Sequence, residues 1–320
     1  MSKMSIDLSK FAPIRLPLIR QTLSGNTMGT RYSAVFYAAP GTNVAALNAG
    51  LFAAVDGVDR QMSTWRVDSD LNKLNAAPIG IWMNVPHELL AVLSAALRVE
   101  RMSNGAFDIN VGDLVSASGF GPSQGAANSG QAPHEGEPMR SPASASLELD
   151  LENGRVRQSG AVSLDLSGIA KGFGVDEMAR VMDVFRVPSW LVGIDGEMRA
   201  KGTKPDGSMW AVAHERPDRH VREAMGVFEL RDMAVATSGN YRHCRDVRGR
   251  TISHTMDPRT GVPLENDVAS VSVLAPRCMT ADAWATALMV MGVEAGLEAA
   301  NVQGFDVIFV LLDGTVRSTL

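Results

Sequence analysis

Cysteine is nearly absent from this 320-residue chain. Two residues, Cys244 and Cys278, stand far apart with no CxxC spacing around either. That excludes a disulfide framework and a zinc knuckle, and leaves each thiol as a small buried hydrophobe. Positive charge is not in excess either: 30 Lys and Arg against 35 Asp and Glu give a net charge of −5. A chain of that balance lacks the basic face that phosphate neutralisation requires, so nucleic acid is excluded as the main partner. Long apolar runs are missing as well. No window reaches the ~20 residues of a membrane helix. The opening stretch "MSKMSIDLSKFAPIRLPLIRQTLSG" holds neither a secretory apolar region nor a lipid-attachment cysteine, which sets the expectation of a cytoplasmic protein without a transmembrane segment. Aromatics are sparse at 6%, yet 45% of residues are hydrophobic and 20% charged. That is the composition of a globular protein with a large core.

What is present falls into interleaved helical and strand patterns. "RYSAVFYA" (31–38) reads as a strand. Val44, Leu47, Leu51, Val55, Val58 and Met62 follow at helical spacing. Pro86 opens a second helix with Leu89, Val92, Leu93 and Ala96 on one face, and Asn104-Gly105 closes it. Residues 116–146 are rich in Ser, Gly, Pro and Ala without a period, the mark of a long surface loop. Asn153-Gly154 marks a hairpin between 147–151 and 155–162. Strands are expected near 190–194, 209–213, 227–236 and 268–275. A helix is expected from Thr280 to about Met291, stopped by Gly292, and "FDVIFVLLDGTVRSTL" closes the chain as strand, Asp-Gly turn and strand. Frequent hairpins favour mixed sheets over a purely parallel one.

Four stretches carry chemistry. In "LDLSGIAKGFGVD" (164–176), an aspartate at a strand end precedes three glycines and one lysine at a helix start. Gly168, Gly172 and Gly174 remove side chains where a ligand or another backbone must come close. Helix-start N–H groups and Lys171 favour an anion. A packing turn with an exposed lysine explains the same residues equally well. In "TADAWATALMVMG", Asp282 and Thr286 are four apart and share a helical face, while Trp284, Leu288 and Met291 take another. A carboxylate and a hydroxyl so placed can share a hard cation such as magnesium, although Asp282 can equally favour the helix dipole. "ISHTMDPRTGVP" sets His254 near Asp257 on a tight turn, a plausible acid/base pair, or a histidine bonded to backbone. Met28 and Met62 can lie against a flat ring, and Trp65 can stack on a base, although such residues are more often core.

Together these stretches resemble the FAD:protein FMN transferase, or ApbE, family. The pieces occur in the family's order over nearly the whole chain: "NTMGT" (26–30), "MSTWRVDSDLNKLN" (62–75), "GAFDINVGDLV" (105–115), "GFGP" (119–122), "LDLSGIAKGFGVD" (164–176), "GIDGEMRAKGTKPDGSMWAVAHERP" (193–217), "AVATSGNY" (234–241), "SHTMDPRTGVP" (253–263) and "ADAWATALMVMG" (281–292). The resemblance implies an α/β (α+β) fold with mixed, largely antiparallel sheets flanked by helices and an FAD cleft between subdomains. Residues 1–24 are then an N-terminal extension and 25–320 one catalytic domain, with the loop of about 116–146 inside it.

The activity implied is magnesium-dependent cleavage of FAD, with FMN passed to a Thr or Ser hydroxyl of an acceptor flavoprotein and AMP released. By resemblance, Met28, Trp65, Ala106, Phe107, Asp108, Asp165, Lys171 and Met256 hold FAD. Asp282, Thr286 and a backbone carbonyl near Gly168 hold Mg²⁺. His254 is the first candidate for the base and Asp257 the second. The alternatives are an FAD pyrophosphatase, with water as acceptor, and a non-catalytic FAD-binding protein. Three positions depart from the family's pattern: Asp195 and Gly193 stand where glycine and asparagine are usual, and Ser118 where tryptophan often stands.

Overall fold

The computed structural model describes residues 17–122, 141–219, 221–241, 244–247 and 250–320. The first half of the chain forms β1 (Ile19–Thr27), β2 (Thr30–Ala38), α1 (Val44–Met62), α2 (Asp70–Asn75), β3 (Trp82–Asn84), α3 (His87–Met102), α4 (Gly112–Ala117), α5 (Ala143–Ser146), β4 (Leu147–Asp150) and β5 (Arg155–Gln158). The middle forms α6 (Ala170–Val184), β6 (Ser189–Ile194), β7 (Glu197–Lys201), β8 (Trp210–Glu215), β9 (Ala224–Leu230) and β10 (Ala234–Gly239). The end forms β11 (Cys244–Val247), β12 (Arg250–Ser253), β13 (Met256–Asp257), β14 (Val262–Pro263), β15 (Val268–Ala275), α7 (Cys278–Met291), α8 (Val293–Gln303), β16 (Asp306–Leu311) and β17 (Val316–Ser318).

Eight strands join in the order β1-β2-β6-β7-β10-β15-β16-β17, and every pairing among the described residues is antiparallel. Alternation along β2 explains which face is covered. Tyr32, Ala34, Phe36 and Ala38 point into one core with Leu47, Leu51 and Val55 of α1 and Val175, Met178 and Met182 of α6. Helix α7 continues that layer over β10 and β15 and joins α3 in the largest core. The opposite face of the sheet is covered by the β8–β9 hairpin, through Trp210, Phe228 and Leu230 packed with Val235 and Ala200. β15 is buried on both faces, which is why "VASVSVLA" shows no polar alternation beyond its small serines. No helix among the described residues is long and apolar enough to cross a membrane.

The α1 pattern and the Pro86 start stand as read, and Asn104 and Gly105 take positive φ of 51° and 76° just past α3. The Asn153-Gly154 hairpin forms, with Asp150 opposite Arg155, but its second strand stops at Gln158. The strand expected over 227–236 is two strands, because Asp232 at φ 54° breaks the run. Residues 19–24, set within the N-terminal extension, belong to β1, and α8 had no sequence reading. Residues 1–16 of that extension and 123–140 of the expected loop lie outside the described residues.

Helix α7 begins at Cys278, two residues before Thr280, and its own N-cap residue Arg277 makes no side-chain cap. The cap comes from another helix. Buried Asp176 of α6 accepts from the N–H groups of Cys278 (3.0 Å) and Met279 (3.1 Å), and from Arg199 Nη1 (2.7 Å). A carboxylate at a helix N-terminus satisfies donors that have no partner within the helix. Asp176→Ala leaves those donors and Arg199 unpaired. It is expected to cost about 3 kcal/mol in urea unfolding, and an unchanged midpoint would reject this account of α7.

Candidate active site

Segment 164–169 leads from the small sheet into α6 and is fixed from two sides. Asn75 Oδ1 accepts from Leu164 N (2.8 Å), Asn75 Nδ2 donates to Leu164 O (3.1 Å), and Asp165 N donates to Ile109 O (2.8 Å). Asp165 then turns the chain, its Oδ1 accepting from Ser167 N (2.7 Å). The three glycines of the motif do different jobs. A Cβ on Gly172 would stand 2.5 Å from Cys278 O and 2.7 Å from Asp282 Cβ, so this glycine exists to let α7 lie against α6. A Cβ on Gly174 would meet Ile194 Cδ1 at 2.8 Å and Met28 Cε at 3.3 Å. Only Gly168 opens toward the site, beside Thr286 Oγ1 (3.1 Å from its would-be Cβ) and Phe107 (3.3 Å). The helix start is also less open to an anion than the motif suggests. Ile169 N and Ala170 N both donate to Leu166 O, and Gly172 N donates to Asp282 Oδ2 (2.8 Å). The available positive charge there is Lys171.

A cleft of about 340 Å³ opens at this point. Of the residues that the resemblance gives as FAD contacts, ion ligands or base, all but Met28 and Asp257 line it, while Met62 is buried in the core instead. Trp65 stands at its lip, 60% exposed. Ala106 and Phe107 are buried in its wall, and Phe107 N is held by Ser103 Oγ (3.0 Å). Asp108 also lines it, but its carboxylate accepts from Asn110 N (2.8 Å) and Ala143 N, so it anchors the chain at 143. Met256 is buried and receives Ser118 Oγ at 3.6 Å from its sulfur. His254, between β12 and β13, faces the cleft edge-on to Phe120, ring centroids 6.1 Å apart.

Met28 lines an adjoining hollow of about 710 Å³ that shares Lys171, Asp195, Glu215 and Tyr241 with the cleft. It occupies the tight β1–β2 turn at φ 46°, next to Gly29 at φ 70°. Asp257 is turned away. Arg259 grips both its oxygens, Nε to Oδ1 at 2.9 Å and Nη2 to Oδ2 at 2.8 Å. Burial would raise this carboxyl, but the Arg259 bonds outweigh burial and hold it below the ordinary carboxylate value. Of the two candidate bases, His254 lines the cleft and Asp257 does not.

The centre of the cleft is a charge cluster. Burial would lower the Lys171 ammonium, but Glu197, Asp282 and Asp195 overcome it and hold the lysine above its ordinary value. Nζ lies 2.8 Å from Glu197 Oε1 and 4.0 Å from Asp195. Asp282, 4% exposed, is pushed up to about 7 by burial and then by Glu197, against the pull of Lys171 and the Gly172 N–H. Thr286 Oγ1 is 3.1 Å from Ser238 Oγ. As their spacing requires, Asp282 and Thr286 face α6 while Trp284 turns to the core against Phe305, centroids 5.4 Å apart.

Among the described residues no three His, Cys, Asp or Glu side chains form a metal-binding group. The donors present are all oxygen: a buried carboxylate left costly without a cation, a hydroxyl, and main chain at a bare glycine. That set fits magnesium, which keeps several of its waters.

Sequence reading missed Glu197, Thr237, Ser238, Tyr241 and His214, all in the cleft wall. His214 is buried against Phe228, which lowers its basicity. Glu197 had one visible signal, an acidic residue directly after a tight turn on a strand that must bury one face.

Comparison with known proteins follows the same lines. The profile of the ApbE family matches residues 28–309. A Vibrio cholerae protein named FAD:protein FMN transferase is 37% identical over 90% of this chain and 86% of its own length. A Haemophilus influenzae protein of the same name is 35% identical over 91% and 86%. Among solved structures, the flavin transferase ApbE from Vibrio cholerae aligns with TM-score 0.79 and 34% identity, covering 94% of this chain and 97% of that one. An ApbE protein from Thermotoga maritima aligns with TM-score 0.84 and 26% identity over the same shares.

The Asp257–Arg259 bridge ties stability to pH. A carboxyl depressed in the folded state adds stability above its unfolded pKa, and that stability is lost as pH falls through the folded value. Arg259→Ala should lower stability at pH 7 by roughly 1 kcal/mol after allowance for solvent screening. The difference should vanish in acid, below the depressed value, and a gap that persists there in urea titrations would refute it.

Proposed function

The chain belongs to the ApbE family, and on that premise we propose that it is an FAD:protein FMN transferase that uses Mg²⁺ and a Thr or Ser hydroxyl of an acceptor flavoprotein. One observation carries the reading: Lys171, Asp282, Thr286, Gly168 and His254, spread over more than a hundred positions of sequence, all line one cleft with the proposed FAD contacts. Trp65 at the lip takes the adenine end, while Ala106, Phe107 and Met256 supply apolar wall. Asp165, whose Oδ1 serves the turn, offers Oδ2 to a donor on the dinucleotide. Met28 reaches the flavin from the adjoining hollow.

The acceptor hydroxyl oxygen attacks the FMN-side phosphorus of FAD. A phosphoester bond forms, the diphosphate bridge breaks, and AMP departs with the bridging oxygen. His254 takes the hydroxyl proton. Lys171, kept charged by its carboxylates, faces the negative charge that builds on the phosphoryl oxygens. Asp282, Thr286 and the Gly168 carbonyl would hold the magnesium ion, which when bound supplies charge neutralisation at the diphosphate. Phe107 and Phe120 line the same cleft, and their apolar rings would limit water there.

The test is incubation with FAD, Mg²⁺ and the protein substrate of the Vibrio cholerae relative, following AMP by chromatography and flavin fluorescence on the acceptor after denaturation. Both should appear together. AMP without transfer would select a pyrophosphatase, and no AMP a carrier. Asp282→Ala should abolish Mg²⁺-dependent turnover. His254→Ala should lower transfer by about 10²–10⁴-fold while FAD still binds, and wild-type rates in either variant would reject the assigned role.

A further inference from the structure

Glu197 is 3% exposed, begins β7, and follows a two-residue turn in which Asp195 takes φ 54°. The turn and the β6–β7 register, Ile194 opposite Glu197, aim its carboxylate at the cleft floor. Oε1 accepts from Lys171 Nζ at 2.8 Å, and Oε2 is buried with no hydrogen-bond partner among the described residues. A buried ion pair with an unsatisfied oxygen is a poor way to stabilise a fold. An apolar pair of similar volume is often more stable. The arrangement therefore calls for a use other than stability.

Lysine is a point charge on a flexible four-carbon stem and does not fix its own position. Two other carboxylates compete for it. Asp195 lies 4.0 Å away at the cleft mouth, and buried Asp282 acts on it from α7. If Lys171 paired with Asp282, each would lose its partner in the reaction. We propose that Glu197 is a positioning residue that draws the Lys171 ammonium away from Asp282, so that the lysine meets the diphosphate and the aspartate stays free for the cation. This rests on the reading of Lys171 and Asp282 given above. In this role Glu197 need not touch substrate or ion. It acts through the lysine.

The experiment compares E197Q, K171M and the double variant. AMP release from FAD is measured across Mg²⁺ concentrations, with FAD affinity from quenching of flavin fluorescence and thermal unfolding alongside. Glutamine keeps shape and one acceptor but drops the charge. The expected result is a fall in kcat of about 10²-fold in E197Q, the scale of a small misplacement. A Mg²⁺ activation midpoint several-fold higher and an unfolding temperature near that of the parent should accompany it. In the K171M background E197Q should cost nothing more, because the group it positions is gone. Additive losses, or an unshifted Mg²⁺ curve, would overturn the proposal. K171M turning over FAD at the parental rate would remove the parent reading instead, and is told apart by the single variant alone. Should E197Q fail to fold, E197D retains the charge on a shorter arm, and a rate between parent and K171M with an intermediate Mg²⁺ midpoint supports the same conclusion.

Discussion

The close crossing of α6 and α7 is the constraint on which the rest depends. At Gly172 there is no room for a single extra carbon, since the Cys278 carbonyl and Asp282 Cβ stand where it would go. The contact is sealed by polar groups on both sides of that glycine. Gly172 N donates to Asp282, and Asp176, one turn on, receives the first N–H groups of α7. Gly168 and Lys171 at the start of one helix and Asp282 and Thr286 along the other are thereby held in fixed relation. The eight-stranded sheet beneath and the apolar layer of α1, α3 and α6 give that crossing a rigid floor.

Charge at the site is arranged rather than minimised. Lys171 is one cation set among three acidic side chains, Glu197, Asp195 and Asp282. That imbalance is unfavourable for a diphosphate unless a cation accompanies it, and the raised Asp282 carboxyl shows the same deficit from the protein's side. Asp195, at the border between the cleft and the hollow beside Met28, adds to this deficit where the dinucleotide would pass.

Much of the fold was legible because local rules were not in conflict. The α1 stripe from Val44 to Met62 satisfies one helical period, and the structure buries Leu47, Leu51, Val55, Val58 and Met62 from it. The start of α7 was misplaced because its cap lies on another helix, a hundred residues earlier, where no window of sequence looks. The strand over 227–236 was overextended because Asp232 tolerates the left-handed conformation without glycine as a signal. At the site, the pairing of Asp282 with Thr286 followed from helical spacing. The turning of Asp257 onto Arg259 did not, because a carboxylate two residues before an arginine is equally able to face solvent or a ligand.

By itself the sequence determined which side chains share a helix face, where the Asn-Gly and Asp-Gly turns fall, and, through nine ordered motifs, which family the chain joins. These follow from local stereochemistry and from residue identity. Only the tertiary structure decided that two of three motif glycines serve helix packing, that Asp257 is bridged while His254 faces the cleft, and that Glu197 underlies Lys171. The first and last of those outcomes join partners distant in sequence, and the Asp257–Arg259 bridge selects one of several orientations open to a single turn; distance, burial and charge in space decide each.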